Sequence, residues 1–218
     1  MKVISLNTGL PREVTWHGIS VFTGIYKEPV EGRVPVRKLN LGGDRQADLT
    51  VHGGEQKAVY CYPSEHYGHW KRELPGRELP MAVFGENLTT EGLLEDSVHL
   101  GDRFAVGSAE FVVTQPRLPC YKLGIRFQDD GMVKRFLASG RTGFYFAVMR
   151  EGQVGAGDEI KVTARDSNGV AISEITRLYV AKRYAEEDVT SVRRALRVAE
   201  LPESWKGYFR ERLQRMNG

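Results

Sequence analysis

The sequence predicts a mainly β protein: a β-barrel followed by a small C-terminal three-helix domain. Three observations lead there. Up to about residue 165 the apolar residues come in short runs, rich in β-branched and aromatic side chains and bounded by Gly, Pro, Asp or Asn. Asp166, Ser167, Asn168 and Gly169 then form a turn-rich linker. Beyond it the apolar spacing changes to that of helices. The domains are therefore expected at 1–165 and 166–218.

The strands are expected at 2–6, 20–25, 34–39, 58–62, 97–100, 103–106, 110–114, 144–148 and 159–163. Strands this short, bounded by such turn residues, are how a closed or nearly closed barrel punctuates its chain. Two helices interrupt them, at 64–74 after Pro63 and at 131–138, where Met132, Phe136 and Leu137 fall near helical spacing. In the tail, Ile175, Leu178 and Tyr179 make one apolar stripe, and Val189, Val192, Leu196 and Ala199 a second. Trp205, Phe209, Leu213 and Met216 make the third, in a helix that Pro202 opens, where a missing amide hydrogen does no harm. Apolar positions left over on this tail serve either a homodimer contact or packing against the barrel.

At 218 residues, with 41% hydrophobic and 27% charged content, the chain can bury a substantial core. No apolar run is long enough for a membrane helix, and Met-Lys-Val-Ile-Ser-Leu-Asn-Thr-Gly lacks a signal peptide's apolar core, so the expected compartment is the cytoplasm. The net charge of +3 is too small to argue for nucleic acid. Residues 171–218 carry 10 Lys and Arg against 7 Asp and Glu, and the rest of the chain carries 21 of each. All the excess thus lies in the tail, where basic helix faces are read as solvated surface. Two cysteines, Cys61 and Cys120, are too few for a disulfide framework or a cysteine-only zinc site.

Cys61, inside Ala-Val-Tyr-Cys-Tyr, reads as a buried strand residue. Cys120 is different. It lies in Gln-Pro-Arg-Leu-Pro-Cys-Tyr-Lys-Leu, where Pro116 and Pro119 stiffen the backbone into a loop, neither helix nor central strand. Arg117 and Lys122 flank it, and neighbouring cations favour the thiolate, which suits a nucleophile or a ligand for a soft metal. A small buried hydrophobe is the competing reading.

The glycine pairs Gly42-Gly43 and Gly53-Gly54 lie close to Arg45, His52 and Lys57. Backbone amides in such turns can cradle an anion, although tight turns between strands explain the glycines equally. Neither pair matches a Walker loop or a dinucleotide fingerprint. His52 is open to acid-base, ligand, phosphate-donor and structural roles. His66 and His69, three apart on the 64–74 helix, offer two zinc ligands of the three a catalytic site needs, amid an ordinary amphipathic sequence. On the Phe84-Gly85-Glu86-Asn87-Leu88 loop, Asn87 has both donors and acceptors for a polar heterocycle, or for its own turn. Arg141-Thr142-Gly143 either closes a phosphate site or makes a turn, and Gly101-Asp102 and Gly157-Asp158 read as corners.

Taken in order, Gly43-Asp44-Arg45-Gln46, Val51-His52-Gly53-Gly54, Tyr62-Pro63-Ser64-Glu65-His66-Tyr67, Phe84 to Leu88, Gly101-Asp102 and Gln115 to Leu123 resemble the MOSC-domain proteins of the YiiM type. The resemblance spans roughly residues 1 to 165, and the tail resembles the small helical domain those proteins carry. It implies a MOSC-type β-barrel, binding of the molybdenum cofactor (a molybdopterin), and reduction of N-hydroxylated compounds such as 6-hydroxylaminopurine to the amine. Cys120 matches the family's molybdenum-ligating cysteine, and His52, Lys57, Asn87, Arg117 and Lys122 lie in its motifs around the cofactor. Arg45 and Thr142 are placed there by position alone. His52 is the candidate for proton delivery. With no flavin or iron-sulfur motif in the chain, electrons are expected from a separate reductase. Two alternatives stand beside this: a sulfur carrier using a Cys120 persulfide in metal-sulfur cofactor assembly, and an anion-binding domain without catalysis.

Overall fold

The computed structural model describes residues 1–48 and 52–216. In chain order its strands are β1 (Lys2–Thr8), β2 (Arg12–Trp16), β3 (Ile19–Thr23), β4 (Glu28–Pro29), β5 (Arg33–Val36), β6 (Val59–Pro63), β7 (Leu88–Glu91), β8 (Arg103–Val106), β9 (Ala109–Pro116), β10 (Phe144–Arg150), β11 (Gly152–Gly155) and β12 (Ile160–Ala164). The helices are α1 (Glu65–Glu73), α2 (Tyr121–Phe127), α3 (Met132–Ala138), α4 (Ile172–Val180), α5 (Glu186–Ala195) and α6 (Glu203–Gln214). Val51 of the His52 motif and the last two residues of the expected tail lie outside the described residues.

An eight-stranded sheet in the order β12-β8-β9-β10-β6-β7-β1-β4 organises the molecule. Its centre is built where the sequence is most apolar: all five residues of β6, Val-Tyr-Cys-Tyr-Pro, are buried, as are seven of the eight in β9. Such strands are covered on both faces. β6 and β7 pair in parallel, and the connection between them carries α1, as a parallel pair requires. The remaining ladders are antiparallel.

The strand order ends at β12 and β4, so the expected closed barrel is not found. The sheet does curl back on itself: Val3 N–H donates to Asp158 O, Gly157 N–H to Val3 O and Ile160 N–H to Met1 O, around a bridge between Lys2 and Glu159. Closure by a few hydrogen bonds beside a turn leaves no signal in local sequence pattern.

Two further expectations change. Residues 97–100 do not form a strand, apart from one bridge between His99 and Ala171. The buried Asp102 carboxylate organises that stretch as a turn, accepting from His99 N–H and Asp166 N–H and pairing with Arg165. Gln115 to Leu123 is not one stiff loop either. Gln115 and Pro116 end β9, Pro119 precedes the bend, and α2 begins at Tyr121. Proline restricts the residues before it, and helix is free to start after it. β2, β4, β7 and β11 also escape the sequence pattern, β7 because Leu-Thr-Thr-Glu between Gly85 and Gly92 reads as turn.

The helical tail packs onto the sheet. Ile172, Ile175, Leu178, Val192, Trp205 and Phe209 belong to one buried cluster with Phe104, Phe111, Val113 and Phe146 of the strands. At about 25 cal/mol per Å², fully burying each such side chain contributes roughly 1.5–3 kcal/mol, which answers the tail's apolar stripes without a second copy. A second cluster, around Tyr62, Trp70, Phe84, Phe127 and Phe136, joins α1, α2 and α3 to the sheet.

Candidate functional site

A cavity of about 100 Å³, open on one side to solvent, lies where β6, β10, the start of α2 and the loops after β3 and before β6 meet. Its lining includes Arg45, His52, Lys57, Asn87, Arg117, Cys120 and Lys122, so seven of the eight residues singled out in the sequence converge. Thr142 does not line it. That side chain is fully buried, and its main-chain carbonyl accepts a 2.8 Å hydrogen bond from the Tyr60 hydroxyl.

Arg117 is 6% exposed and Lys122 9% exposed. Neither forms an ion pair among the described residues. Arg117 instead donates to the Tyr60 hydroxyl at 3.3 Å and lies over the Tyr60 and Phe136 rings, with its guanidinium carbon 4.7 and 5.3 Å from their centroids. Buried cations ordinarily find a carboxylate, because desolvating an unpaired charge costs several kcal/mol. The Cys120 thiol, half-buried, shares this end of the cavity.

The other end is polar and already satisfied. Lys27, buried, pairs with the buried Asp44, whose carboxylate also accepts from Gly9 N–H at 3.0 Å and from Asn87 Nδ2 at 2.9 Å. Burial holds the Lys27 ammonium below the usual lysine range, against the opposing pull of Asp44. Asn87 donates also to Asn7 O and accepts from Tyr60 N–H at 3.0 Å. Its amide is therefore spent on the wall rather than free for a ligand. Lys27, Tyr60 and Tyr145 are polar lining residues that sequence reasoning missed. An isolated lysine before Glu28 and tyrosines in apolar strands give no signal of their own.

His52 lies between cations. Burial, then Lys122 and Lys57, hold its imidazole below the usual histidine range, with Asp48 opposing and Arg117 adding to them. Lys57, also lowered by burial, ends the single turn Glu55–Lys57. That turn is fastened to β9, since Gln56 O accepts from Thr114 Oγ1 at 2.7 Å and from Gln115 Nε2 at 3.2 Å. Gln115 Oε1 in turn accepts from Trp205 Nε1 at 2.9 Å, so the tail braces the turn that carries Lys57.

The zinc alternative finds no support. His66 Nε2 stands 2.6 Å from Glu95 Oε2, and His69 packs edge-on against Trp70. Among the described residues no group of three or more His, Cys, Asp or Glu is placed to hold a metal. Cys61 is fully buried as expected, and burial pushes its thiol up, which keeps it unreactive. Among the described residues no helix is long and apolar enough to cross a membrane.

A cationic cavity with a cysteine on this sheet defines a class. Residues 48–161 match the MOSC domain model and residues 171–215 the YiiM-like 3-alpha helix domain model. The chain is 40% identical to YflK of Bacillus subtilis (strain 168) over 215 residues, 99% of this chain and 96% of that protein. It is 36% identical to YiiM of Escherichia coli (strain K12) over 192 residues, 87% and 84% of the two. The crystal structure of YiiM from Geobacillus stearothermophilus superposes with a TM-score of 0.80 at 33% identity, covering 97% of this chain and 98% of that one. A protein named Reductase from Gibberella moniliformis (strain M3125 / FGSC 7600) shares 30% identity over 168 residues, 76% of this chain but 30% of that protein. The chain belongs to the MOSC-domain family, as a protein of the YiiM type.

Proposed function

We propose that this protein is a molybdenum-cofactor-dependent reductase of N-hydroxylated compounds, 6-hydroxylaminopurine among them, with the site in segment 1–165 and segment 166–218 as its helical brace. The observation that carries the reading is the pair Arg117 and Lys122, both buried on a cavity wall beside Cys120 and both without a carboxylate partner among the described residues. An anionic ligand supplies the missing countercharge. The donor set fits a molybdopterin: cations for its phosphate, a thiol for a soft metal.

In this reading Cys120 holds the metal, and Arg117, Lys122, Lys57 and Arg45 bind and orient the anionic part of the group. When bound, the cofactor supplies two-electron redox chemistry at a metal. The N–O bond of the substrate breaks, its oxygen leaves as water, and two electrons and two protons enter, the electrons from a separate reductase. His52, mostly uncharged when the cavity is cationic, accepts a proton as negative charge arrives and returns it to the leaving oxygen. Asn87 keeps the Asp44–Lys27 wall in place, and Thr142 acts through its carbonyl on Tyr60. Two free cysteines suit a reducing compartment, the cytoplasm.

Molybdenum content and 6-hydroxylaminopurine reduction with a chemical electron donor test the reading, on protein from cells able to make molybdopterin. Wild type is expected to hold molybdenum and turn over, and Cys120→Ala to do neither. A metal-free, inactive wild type whose mass shows one added sulfur on Cys120 would instead make the chain a sulfur carrier.

A further inference from the structure

A second group of unneutralised cations lies beside the cavity rather than in it. Arg126 follows Lys122 by four residues in α2, which puts the two on one face of that helix. Its guanidinium carbon stands 4.8 Å from the centroid of the Tyr26 ring, and that of Arg12, from β2, stands 3.9 Å from the same centroid. Tyr26 sits between Ile25 and Lys27, both of which line the cavity.

Two guanidiniums on one ring repel each other. The ring face attracts each only weakly at a partly exposed position, without cancelling either charge. Burial first, and Arg12 besides, hold Arg126 below the usual arginine range, while Tyr26, Glu86 and Glu28 pull the other way. Neither arginine makes an ion pair or a side-chain hydrogen bond among the described residues, and Arg126 Nε is buried with no partner at all. A phosphate, with two negative charges and several acceptor oxygens, gives both a function.

We propose that Arg12 and Arg126 form a subsite for a phosphate monoester carried by the ligand in the cavity, so that the substrate is a purine nucleoside monophosphate rather than the free base. The inference rests on the cavity being the site of N-hydroxypurine reduction. A nucleotide joins a flat heterocycle to a phosphate through one sugar, and the cavity and the arginine pair offer the two matching environments side by side.

Calorimetric titration of the full chain with adenosine 5′-monophosphate, adenosine and inorganic phosphate tests this without metal, cofactor or reductant, so its outcome is separate from that of the molybdenum reading. The monophosphate is expected to bind at least tenfold tighter than adenosine and tighter than inorganic phosphate. Arg12→Gln and Arg126→Gln are each expected to remove most of that margin, with Arg126→Lys retaining part of it. Arg12 is exposed, so its variant keeps the fold. Equal binding of monophosphate and adenosine would leave the arginines as a clamp and overturn the proposal. So would a margin that survives both glutamine variants and falls with Arg117→Gln, which places the phosphate inside the cavity, or inorganic phosphate binding as tightly as the nucleotide.

Discussion

The cavity and the helical tail carry positive charge in opposite ways. In the tail, which holds the whole net excess of the sequence, arginines meet carboxylates: Arg177 with Asp188, Arg194 with Glu174, Arg210 with Glu203, Arg215 with Glu211. These pairs sit on exposed helix faces, and the unpaired basic side chains beside them reach solvent, which is what a solvated helix surface looks like. Residues 1–170, balanced at 21 charges of each sign, hide Arg117 and Lys122 in a wall where, among the described residues, neither pairs with a carboxylate. Net charge therefore points at the wrong region. Pairing and burial, not count, mark where an anion belongs.

The largest expected effect follows from removing the unpaired charges. In most sites a buried charged residue cannot be replaced without loss of stability. Here, among the described residues, neither charge has a carboxylate partner to orphan, so Lys122→Met and Arg117→Met should leave the melting temperature of the ligand-free protein unchanged or raised. The same variants should weaken binding of an anion by roughly 10- to 100-fold each, the usual contribution of a hydrogen bond to a charged group. Thermal melts with and without millimolar sulfate read both quantities together. A fall in the ligand-free melting temperature comparable to that of a core truncation would mean that these cations are structural.

Proton coupling at His52 comes next in size. The cations that depress it also have to be offset by a bound anion, so binding should raise its pKa and take up a proton. Affinity for sulfate, which does not titrate in this range, should rise as pH falls below the ordinary histidine value near 6.5, by less than about tenfold per pH unit. The stability contribution has the complementary sign. Because the folded-state value is depressed, the uncharged imidazole's contribution is present above the unfolded value and lost as pH falls through the folded one. His52→Asn should flatten both dependences. Calorimetry in buffers of different ionisation enthalpy would count the proton directly, and no uptake in the wild type would remove His52 from the proton path.

The legibility of the site in the sequence divides along the same line. Cys120 with Arg117 and Lys122 stood out because two prolines and two cations surround a lone thiol, and the glycine pairs drew attention to Arg45, His52 and Lys57. Lys27, Tyr60 and Tyr145 did not, because which face of a strand meets a cavity depends on how the sheet curls. The same dependence on distant pairing hid β7 and set how far the sheet curls back on itself, by a bridge and a few hydrogen bonds rather than a closed strand order. Helix α2 was lost for a local reason, since the prolines that stiffen residues 116–119 say nothing about the turn that follows. Thr142 shows the limit of proximity to a motif: its carbonyl acts on the site through Tyr60, and its side chain does not reach it. The tail's three stripes, by contrast, recur as α4, α5 and α6 because amphipathic spacing is a local property.

The smallest effect should come from breaking a tail pair. Asp188 Oδ2 accepts from Ala185 N–H at 2.9 Å, which caps α5, while Oδ1 stands 2.6 Å from Arg177 Nη1 as an ion pair without hydrogen-bond alignment. The Ala185 amide and Arg177 together hold this carboxylate below the usual aspartate range, so its contribution is present above the unfolded value and lost as pH falls through the folded one. Asp188→Ala removes the cap and should cost about 1 kcal/mol, read by denaturant titration at neutral pH, with the difference from wild type shrinking in acid. Sulfate affinity should not change. That is the opposite pairing of outcomes from Lys122→Met, stability lost and binding kept. A loss of sulfate binding in Asp188→Ala would mean that the tail does more than brace the Glu55–Lys57 turn through Trp205 and Gln115, and the separation between the two regions would have to be redrawn at that contact.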